Sequence, residues 1–488
     1  PHRVRAPGDE LSSAGASAGG PGSQSIFLKT YGCSHNISDS EHLLGLLTSY
    51  GYNIVSHMDD ADCVVINSCT VKDPSEAAFI NVVNKAKKAG KAVVVSGCVP
   101  QADSRHKALA GVSMLGTHQL ANAVAVVEES LKGNTVRMLS QRGPLPSLDL
   151  PKIRRNPYVE IIPLSTGCLG NCTYCKTKHA RGELGSYAPS AILARARQAE
   201  REGVLEVWLS SEDVGAYGLD RGTNITELLD LLTEGVPRVM FRVGMANPPH
   251  IKGQMEGVAR NLAKDNVFSF LHVPVQSGSD SVLTNMNREY TYSDFCYVVD
   301  SLRSSVASAH VATDVICGFP GETEEDHERT MEMLRKYKFG TCNISQFYPR
   351  PGTPAARMKR VDTKVAKRRS REFSKVFNDL KPYEGWEGRR MKVWVGLDVD
   401  TTGSKNVAHG KGYEKVLFGP YDPEMRGCSC DVVVDKVARF HVEGKVVEGT
   451  VVRVAPRVEE LGTTVAGDDE QEEESADKLN YRVAGEEK

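Results

Sequence analysis

Short apolar runs alternate with amphipathic helical patterns twice over along this chain, and that rhythm leaves little choice of fold. In the first block, residues 26–30, 63–67 and 92–96 read as strands and residues 40–50 and 76–89 as helices. Strands separated by helices pair in parallel, because only a crossover long enough to hold a helix returns the chain in the same direction. The expectation is an open parallel α/β domain over residues 25–135. A stretch with Pro and Gly follows, so residues 136–157 read as a linker. The second block offers six strand candidates, at 158–164, 204–210, 239–243, 267–275, 311–317 and 341–347. Helical patterns lie between them at 189–202, 225–234, 291–304 and 323–337. Six βα units over residues 158–381 suit a partial (β/α)6 barrel better than an eight-unit one. Active side chains would then sit at the C-terminal ends of its strands. Beyond Pro382, β-rich runs at 391–399, 413–418, 431–437 and 445–452 predict a small all-β barrel over residues 382–453.

Composition narrows the class. The 488 residues are 40% hydrophobic and 25% charged, the balance of a globular protein rather than a fibrous or disordered one. No apolar run approaches the roughly 18 residues of a membrane span, so none is expected in this chain. Residues 1–24, rich in Gly, Ala, Ser and Pro, read as a disordered leader, with a transit-peptide remnant as the second reading. Residues 454–488 read as an acidic tail. Residues 457–488 carry 4 basic and 11 acidic side chains; against a net charge of −2, this leaves residues 1–456 at +5. That is a mild lean toward a polyanionic partner. Residues 359–371 hold seven basic side chains and one acidic. Val365, Phe373, Val376, Phe377 and Leu380 give that run a helical apolar face, and either a solvated surface or nucleic-acid contact would explain its charge.

Twelve cysteines are too sparse for a disulfide scaffold, and their spacing suggests metal binding in a reducing compartment, here the cytoplasm. Cys168-x3-Cys172-x2-Cys175 follows the first strand of the second block. Three thiolates on one glycine-bearing loop can hold three irons of a cubic 4Fe–4S cluster and leave the fourth open. The competing reading is a zinc site with His179, four positions after Cys175, as fourth ligand. Cys33, Cys69 and Cys98 each follow a strand candidate by a few residues. In a parallel sheet the carboxyl ends of strands line a common crevice, so these three could converge on a second site. They could equally be three unrelated buried cysteines. Cys63, Cys296, Cys317 and Cys342 read as core residues. Cys428 and Cys430 alternate on a strand candidate and so share a face.

These motifs, in their order, resemble the radical S-adenosylmethionine (SAM) methylthiotransferases. The resemblance runs from about Ser25 to Val452. It is carried by Tyr31-Gly32-Cys33-Ser34-His35-Asn36 with Asp39-Ser40-Glu41, by Asn67-Ser68-Cys69-Thr70-Val71, and by Ser96-Gly97-Cys98. It continues through the Cys168, Cys172 and Cys175 loop, then Leu271 to Ser279 (L-H-V-P-V-Q-S-G-S) and Met286-Asn287-Arg288. Asp314 to Thr323 (D-V-I-C-G-F-P-G-E-T) and Arg350-Pro351-Gly352-Thr353 complete it. The stretch Thr177 to Tyr187 and the segment Ser211-Glu212-Asp213 with Ala216-Tyr217-Gly218 look like the archaeal and eukaryotic branch acting on tRNA N6-threonylcarbamoyladenosine. His409, Tyr413, Val416 and Leu417 fall where that branch has its RNA-binding TRAM barrel. Eukaryotic members often end in a hydrophobic membrane tail; this chain ends in acid, so the resemblance lends no support to a membrane anchor.

The resemblance implies two 4Fe–4S clusters, a radical one on Cys168, Cys172 and Cys175 and an auxiliary one on Cys33, Cys69 and Cys98. S-adenosyl-L-methionine would chelate the open radical-cluster iron and be cleaved reductively to methionine and a 5′-deoxyadenosyl radical. The auxiliary cluster would carry the sulfur that a second SAM methylates. No catalytic residue beyond the cluster ligands is implied. For SAM, Gln276 and Ser277 are candidate hydrogen-bonding partners and Glu212 a candidate ribose partner. Gly318 and Gly321 would allow close backbone approach. Arg181 could pair with a carboxylate of the cofactor or of the threonyl group, while His272 and Arg288 could order the barrel mouth. The expected partner is the tRNA anticodon arm, with a monomeric enzyme and a reductant and sulfur source that the sequence does not identify. Two alternatives remain: the same chemistry on isopentenyladenosine or a ribosomal-protein side chain, and a non-catalytic iron–sulfur or zinc RNA-binding protein.

Overall fold

The computed structural model describes residues 22–461 apart from 71 and 72. Most of the expected leader and most of the acidic tail lie outside the described residues.

The first block is a sheet of six strands in the order Asn53–Ile54, Ser25–Thr30, Cys63–Ser68, Ala92–Gly97, Ser113–Leu115 and Arg137–Met138, with every pairing parallel. All six residues of Cys63–Ser68 are buried. A strand covered on both faces reads as a continuous apolar run, not an alternating one. Val64 and Ile66 pack with Phe79, Val83 and Ala86 of the Asp73–Lys88 helix. Cys63 and Val65 face the other way, onto Leu43 and Leu47 of the Ser34–Tyr50 helix and Val126 and Val127 of Ala123–Leu131. Arg137–Met138 falls within the stretch read as linker and forms the sheet's last strand.

The second block holds two parallel triplets. Val159–Pro163, Glu206–Ser210 and Met240–Val243 form one; Phe270–His272, His310–Cys317 and Thr341–Gln346 form the other. Parallel bridges Phe241↔Val267 and Met245↔His272 join them into the expected open six-strand barrel. The run 267–275 is a regular strand only over Phe270–His272. Pro274 has no N–H to give to the ladder, and Val275 donates to the Thr313 hydroxyl instead, at 3.1 Å.

The Ser34–Tyr50 helix also packs along the barrel's edge strand. Ser38 donates to the Ile161 carbonyl at 3.1 Å, and Ser34 and Ser210 hydroxyls meet at 2.8 Å. Lys152, from the 136–157 stretch, is buried between Glu41 at 3.2 Å and Glu160 at 2.8 Å. A Cβ on Gly45 would come within 2.3 Å of the Pro151 carbonyl, so only glycine lets this helix lie so close.

The third block is a closed five-strand barrel: Arg390–Val399, Asn406–Gly410, Lys415–Phe418, Val442–Val446 and Cys428–Val437, the last pairing back onto the first. Its 411–413 turn enters the N-terminal end of the (β/α)6 barrel, where Lys411 donates to the Lys264 and Val267 carbonyls. Arg242 lies among the rings of Trp208, Phe270 and Tyr413, at 4.9, 4.9 and 4.5 Å. The C-terminal ends of the barrel strands therefore lie opposite this plug. Among the described residues no helix is long and apolar enough to cross a membrane.

Candidate functional site

Two cysteine triads lie at the C-terminal ends of the two parallel sheets. In the first sheet, Cys33 immediately precedes the Ser34–Tyr50 helix, Cys69 follows Cys63–Ser68, and Cys98 opens the Cys98–Ala102 helix. Cys33 and Cys98 meet at Asn36. Its Oδ1 accepts from the Cys33 thiol at 3.5 Å and the Cys98 thiol at 3.9 Å, while its Nδ2 donates to the Ser68 carbonyl at 2.9 Å. A Cβ on Gly32 (φ +118°) would lie 3.0 Å from the Cys69 sulfur, so the missing side chain is what admits the third thiol. Gly97 (φ +88°) turns the chain into Cys98, and a Cβ there would lie 2.2 Å from Asn67 Oδ1. Burial pushes the Cys33 thiol up against the opposing pull of the Arg181 guanidinium, and pushes Cys98 up to about 11. Three thiols gathered at one end of the sheet, those of Cys69 and Cys98 buried and those of Cys33 and Cys98 on the Asn36 oxygen, are a donor set that suits a cationic cluster better than three protons.

In the barrel block, Cys168, Cys172 and Cys175 follow the first strand, Val159–Pro163, and the short Ser165–Thr166 strand that pairs antiparallel with Gly185–Ser186. A Cβ on Gly170 would be 3.7 Å from both the Cys168 and the Cys172 sulfur, so the loop curls round that glycine. One side is fixed by Cys168 N–H to the Gly182 carbonyl at 3.1 Å. The other is fixed by Thr173 N–H to Met286 at 2.9 Å and Thr173 Oγ1 to Asn285 at 2.9 Å. Burial pushes the Cys168 thiol up to about 12. His179 is exposed, and among the described residues no three His, Cys, Asp or Glu side chains stand as ligands of one metal ion. Three thiols from one loop, with no fourth, fit a cluster in which each thiolate holds its own iron.

The Thr177–Arg181 helix ties the triads together. It begins two residues after Cys175, its Ala180 carbonyl receives Thr117 Oγ1 at 3.2 Å, and its last residue reaches into the first site. There Arg181 donates to Asp39 at 2.8 Å and to Asn36 Oδ1 at 3.3 Å, and lies 3.6 Å from Glu212. Glu212 also meets His35 at 3.1 Å. Burial pushes the Glu212 carboxyl up, but His35 and Arg181 outweigh it and hold it below the ordinary carboxylate range.

Each residue expected to bind a ligand has contacts within the chain. Arg181 and Glu212, read as ligand-binding groups, pair with each other inside the barrel block and reach the first domain separately, Arg181 to Asp39 and Glu212 to His35, so each has a polar partner from within the chain. The Ser277 hydroxyl is used inside its own turn, accepting from Ser279 N–H at 3.2 Å and lying 3.3 Å from Thr330 Oγ1. Gly318 is needed for packing: a Cβ there would meet Ala366 Cβ at 2.5 Å, and its N–H donates to Glu322 at 2.8 Å. Gly321 (φ +86°) faces Asn285, and Gln276 is buried in a left-handed conformation (φ +67°) bridged to Val315. His272 shares Asp314 Oδ1 with Asn343 at 2.9 and 2.7 Å. In the sequence, Asn36 and Asp39 have no role beyond their place in the motif that carries the resemblance. The structure begins this helix at residue 34, which puts Asn36 and Asp39 one turn apart on one face, whereas the hydrophobic pattern starts only at residue 40 and does not mark them.

Residues 25–114 match an uncharacterized protein family, UPF0004, and residues 162–334 match the radical SAM superfamily. The chain is 48% identical over 435 residues to the threonylcarbamoyladenosine tRNA methylthiotransferase of Xenopus laevis, covering 88% of this chain and 78% of that one. Against the Homo sapiens protein of that name it is 47% identical, covering 87% and 74%. Against a probable one from Pyrococcus abyssi it is 37% identical, covering 72% and 83%. Among solved structures, the radical SAM methyltransferase TsrM from Kitasatospora setae, with tryptophan and a SAM analogue bound, superposes with a TM-score of 0.50 at 13% identity. That match covers 68% of this chain and 75% of that one, a likeness of fold alone.

Proposed function

Because this chain belongs to the threonylcarbamoyladenosine tRNA methylthiotransferases, we infer that it is the enzyme that adds a methylthio group to carbon two of N6-threonylcarbamoyladenosine in tRNA. Its cofactors are two 4Fe–4S clusters and S-adenosyl-L-methionine. When bound, they supply what acid–base side chains cannot, a radical able to act at an unactivated C–H and a sulfur to put in its place.

The observation that carries this reading is the pairing of two three-cysteine sites, joined through the Thr177–Arg181 helix. Cys168, Cys172 and Cys175 would hold the radical cluster and Cys33, Cys69 and Cys98 the auxiliary one. Asn36 and Gly32 shape the second; Arg181 compensates its charge from the barrel side. The target base sits beside the anticodon, where a single-stranded loop lets it be splayed into a pocket. The Thr363–Asp379 helix offers a route for the phosphates. Lys364, Lys367 and Arg371 are exposed on it, and it packs through Ala366 against Gly318 at a strand's C-terminal end. One chain would suffice for this reading, and its free thiols suit the reducing cytoplasm.

The test is anaerobic reconstitution with iron and sulfide, then reaction with dithionite, S-adenosylmethionine and tRNA bearing threonylcarbamoyladenosine. Mass spectrometry should find a methylthio increment on that nucleoside, lost in Cys33→Ala and Cys172→Ala. Formation of 5′-deoxyadenosine without the increment would send the reading to another acceptor. Neither product, from fully clustered protein, would overturn it.

A further inference from the structure

The Met286-Asn287-Arg288 turn has no part in the chemistry described so far, yet it is built into the loop that carries Cys172. Asn287, in a left-handed conformation (φ +54°), donates through Nδ2 to the Asn171 carbonyl at 2.9 Å. The next side chain, Arg288, is half-buried and donates from Nη1 to the Cys172 sulfur at 3.1 Å. Its Nη2 donates to Asn247 Oδ1, and its guanidinium lies 4.9 Å from the centre of the Tyr290 ring.

Asn247 faces Arg288 with its oxygen for a reason two residues further along the network. Its Nδ2 donates to Asp213 Oδ2 at 3.0 Å, so only the carbonyl end is left to accept. Asp213 is itself held by Gly215 N–H at 3.0 Å, Asn247 N–H at 3.1 Å and His250 Nδ1 at 2.6 Å. The chain His250–Asp213–Asn247–Arg288 thus ends on a cysteine sulfur and fixes the last donor in one direction.

We propose that Arg288 is a positioning residue that raises the reduction potential of the cluster held by Cys168, Cys172 and Cys175, with Asn247 and Asp213 holding it in place. Reduction adds a negative charge to a cluster, and a cationic N–H donor at a ligand sulfur stabilises the more negative state. The inference rests on the cluster reading above.

The test isolates that cluster by changing Cys33, Cys69 and Cys98 to Ala, then reconstitutes the protein and titrates it potentiometrically under electron paramagnetic resonance, without S-adenosylmethionine. In that background Arg288→Met should move the midpoint to more negative potential at unchanged iron content, Arg288→Lys should restore part of the shift, and Asn247→Leu should produce a smaller one. A midpoint in Arg288→Met equal to the parent's overturns the proposal. Should Arg288→Met fail to load iron, Asn247→Leu decides: an unshifted midpoint with an unchanged spectrum overturns it, a negative shift supports it. A parent that binds no iron overturns the cluster reading, and this inference with it.

Discussion

His42 shows how one side chain can set a pH limit. It is buried on the Ser34–Tyr50 helix beside the Pro151 carbonyl. Burial, and then the nearby Lys152 ammonium, lower its pKa from an ordinary 6.5 to about 4. The unfolded chain takes up a proton near pH 6.5 that the folded chain refuses until about pH 4. Stability contributed here is therefore complete above 6.5 and is lost as the pH falls toward 4, by on the order of 3 kcal/mol. Urea unfolding of the wild type and His42→Asn at matched pH should show it. Their midpoints should converge as the pH is lowered from 7 to 4.5, because only the wild type carries this loss; parallel pH profiles would contradict it. Arg369 teaches a related lesson. It lies in the basic run 359–371, yet it is buried and pairs with Glu322 at 2.7 Å and Glu324 at 3.0 Å. Its charge is consumed inside the protein.

At the scale of the element, the Thr363–Asp379 helix divides that basic run into two functions. Arg368 and Arg369 are tied to Glu324, and Arg368 also to Glu372. Reversing Arg369 would strand buried charge at a cost of about 3–5 kcal/mol. Lys364, Lys367 and Arg371 are exposed, and they are the positions to reverse. Changing them to Glu should weaken tRNA binding and lower the salt dependence by about 0.7–0.9 of a unit for each phosphate no longer neutralised. Unchanged affinity and slope, read by filter binding across a salt series, would remove this helix from the interface. Elements were legible where burial was apolar. The Cys63–Ser68 strand reads directly from its valines and isoleucine. The Ser34–Tyr50 helix was expected only from residue 40, because its first turns bury His35, Asn36, Ser38 and Asp39, a polar face with no hydrophobic period. Asn406–Gly410 was not anticipated as a strand; its asparagine, histidine and glycine give no β signal, although all five residues are buried in the closed barrel.

For the whole molecule, the terminal barrel plugs the N-terminal end of the (β/α)6 barrel, and the Cys168, Cys172 and Cys175 loop lies at the other end. The Arg242 guanidinium, among three aromatic rings, is a main fastening of that plug. Arg242→Ala should loosen it by on the order of 2 kcal/mol. Amide exchange should quicken in residues 382–461 more than elsewhere, while reductive cleavage of S-adenosylmethionine without tRNA continues at its former rate. Uniformly faster exchange, or an end to cleavage, would mean that Arg242 supports the barrel itself.

A second site on Cys33, Cys69 and Cys98 rests on the family resemblance, whereas the alternation of strands and helices, the three-part architecture and the Cys168-x3-Cys172-x2-Cys175 loop are legible in the sequence itself. Each of these is a local pattern: a hydrophobic period, a spacing, or a cysteine placed just after a strand. Only the tertiary structure decided which charges are spent and which stay free. Arg181 meets Asp39 across 142 residues, Arg369 meets Glu322 across 47, and Arg288 meets Cys172 across 116. Such partnerships depend on which surfaces the packed sheets bring together, and no local period encodes that.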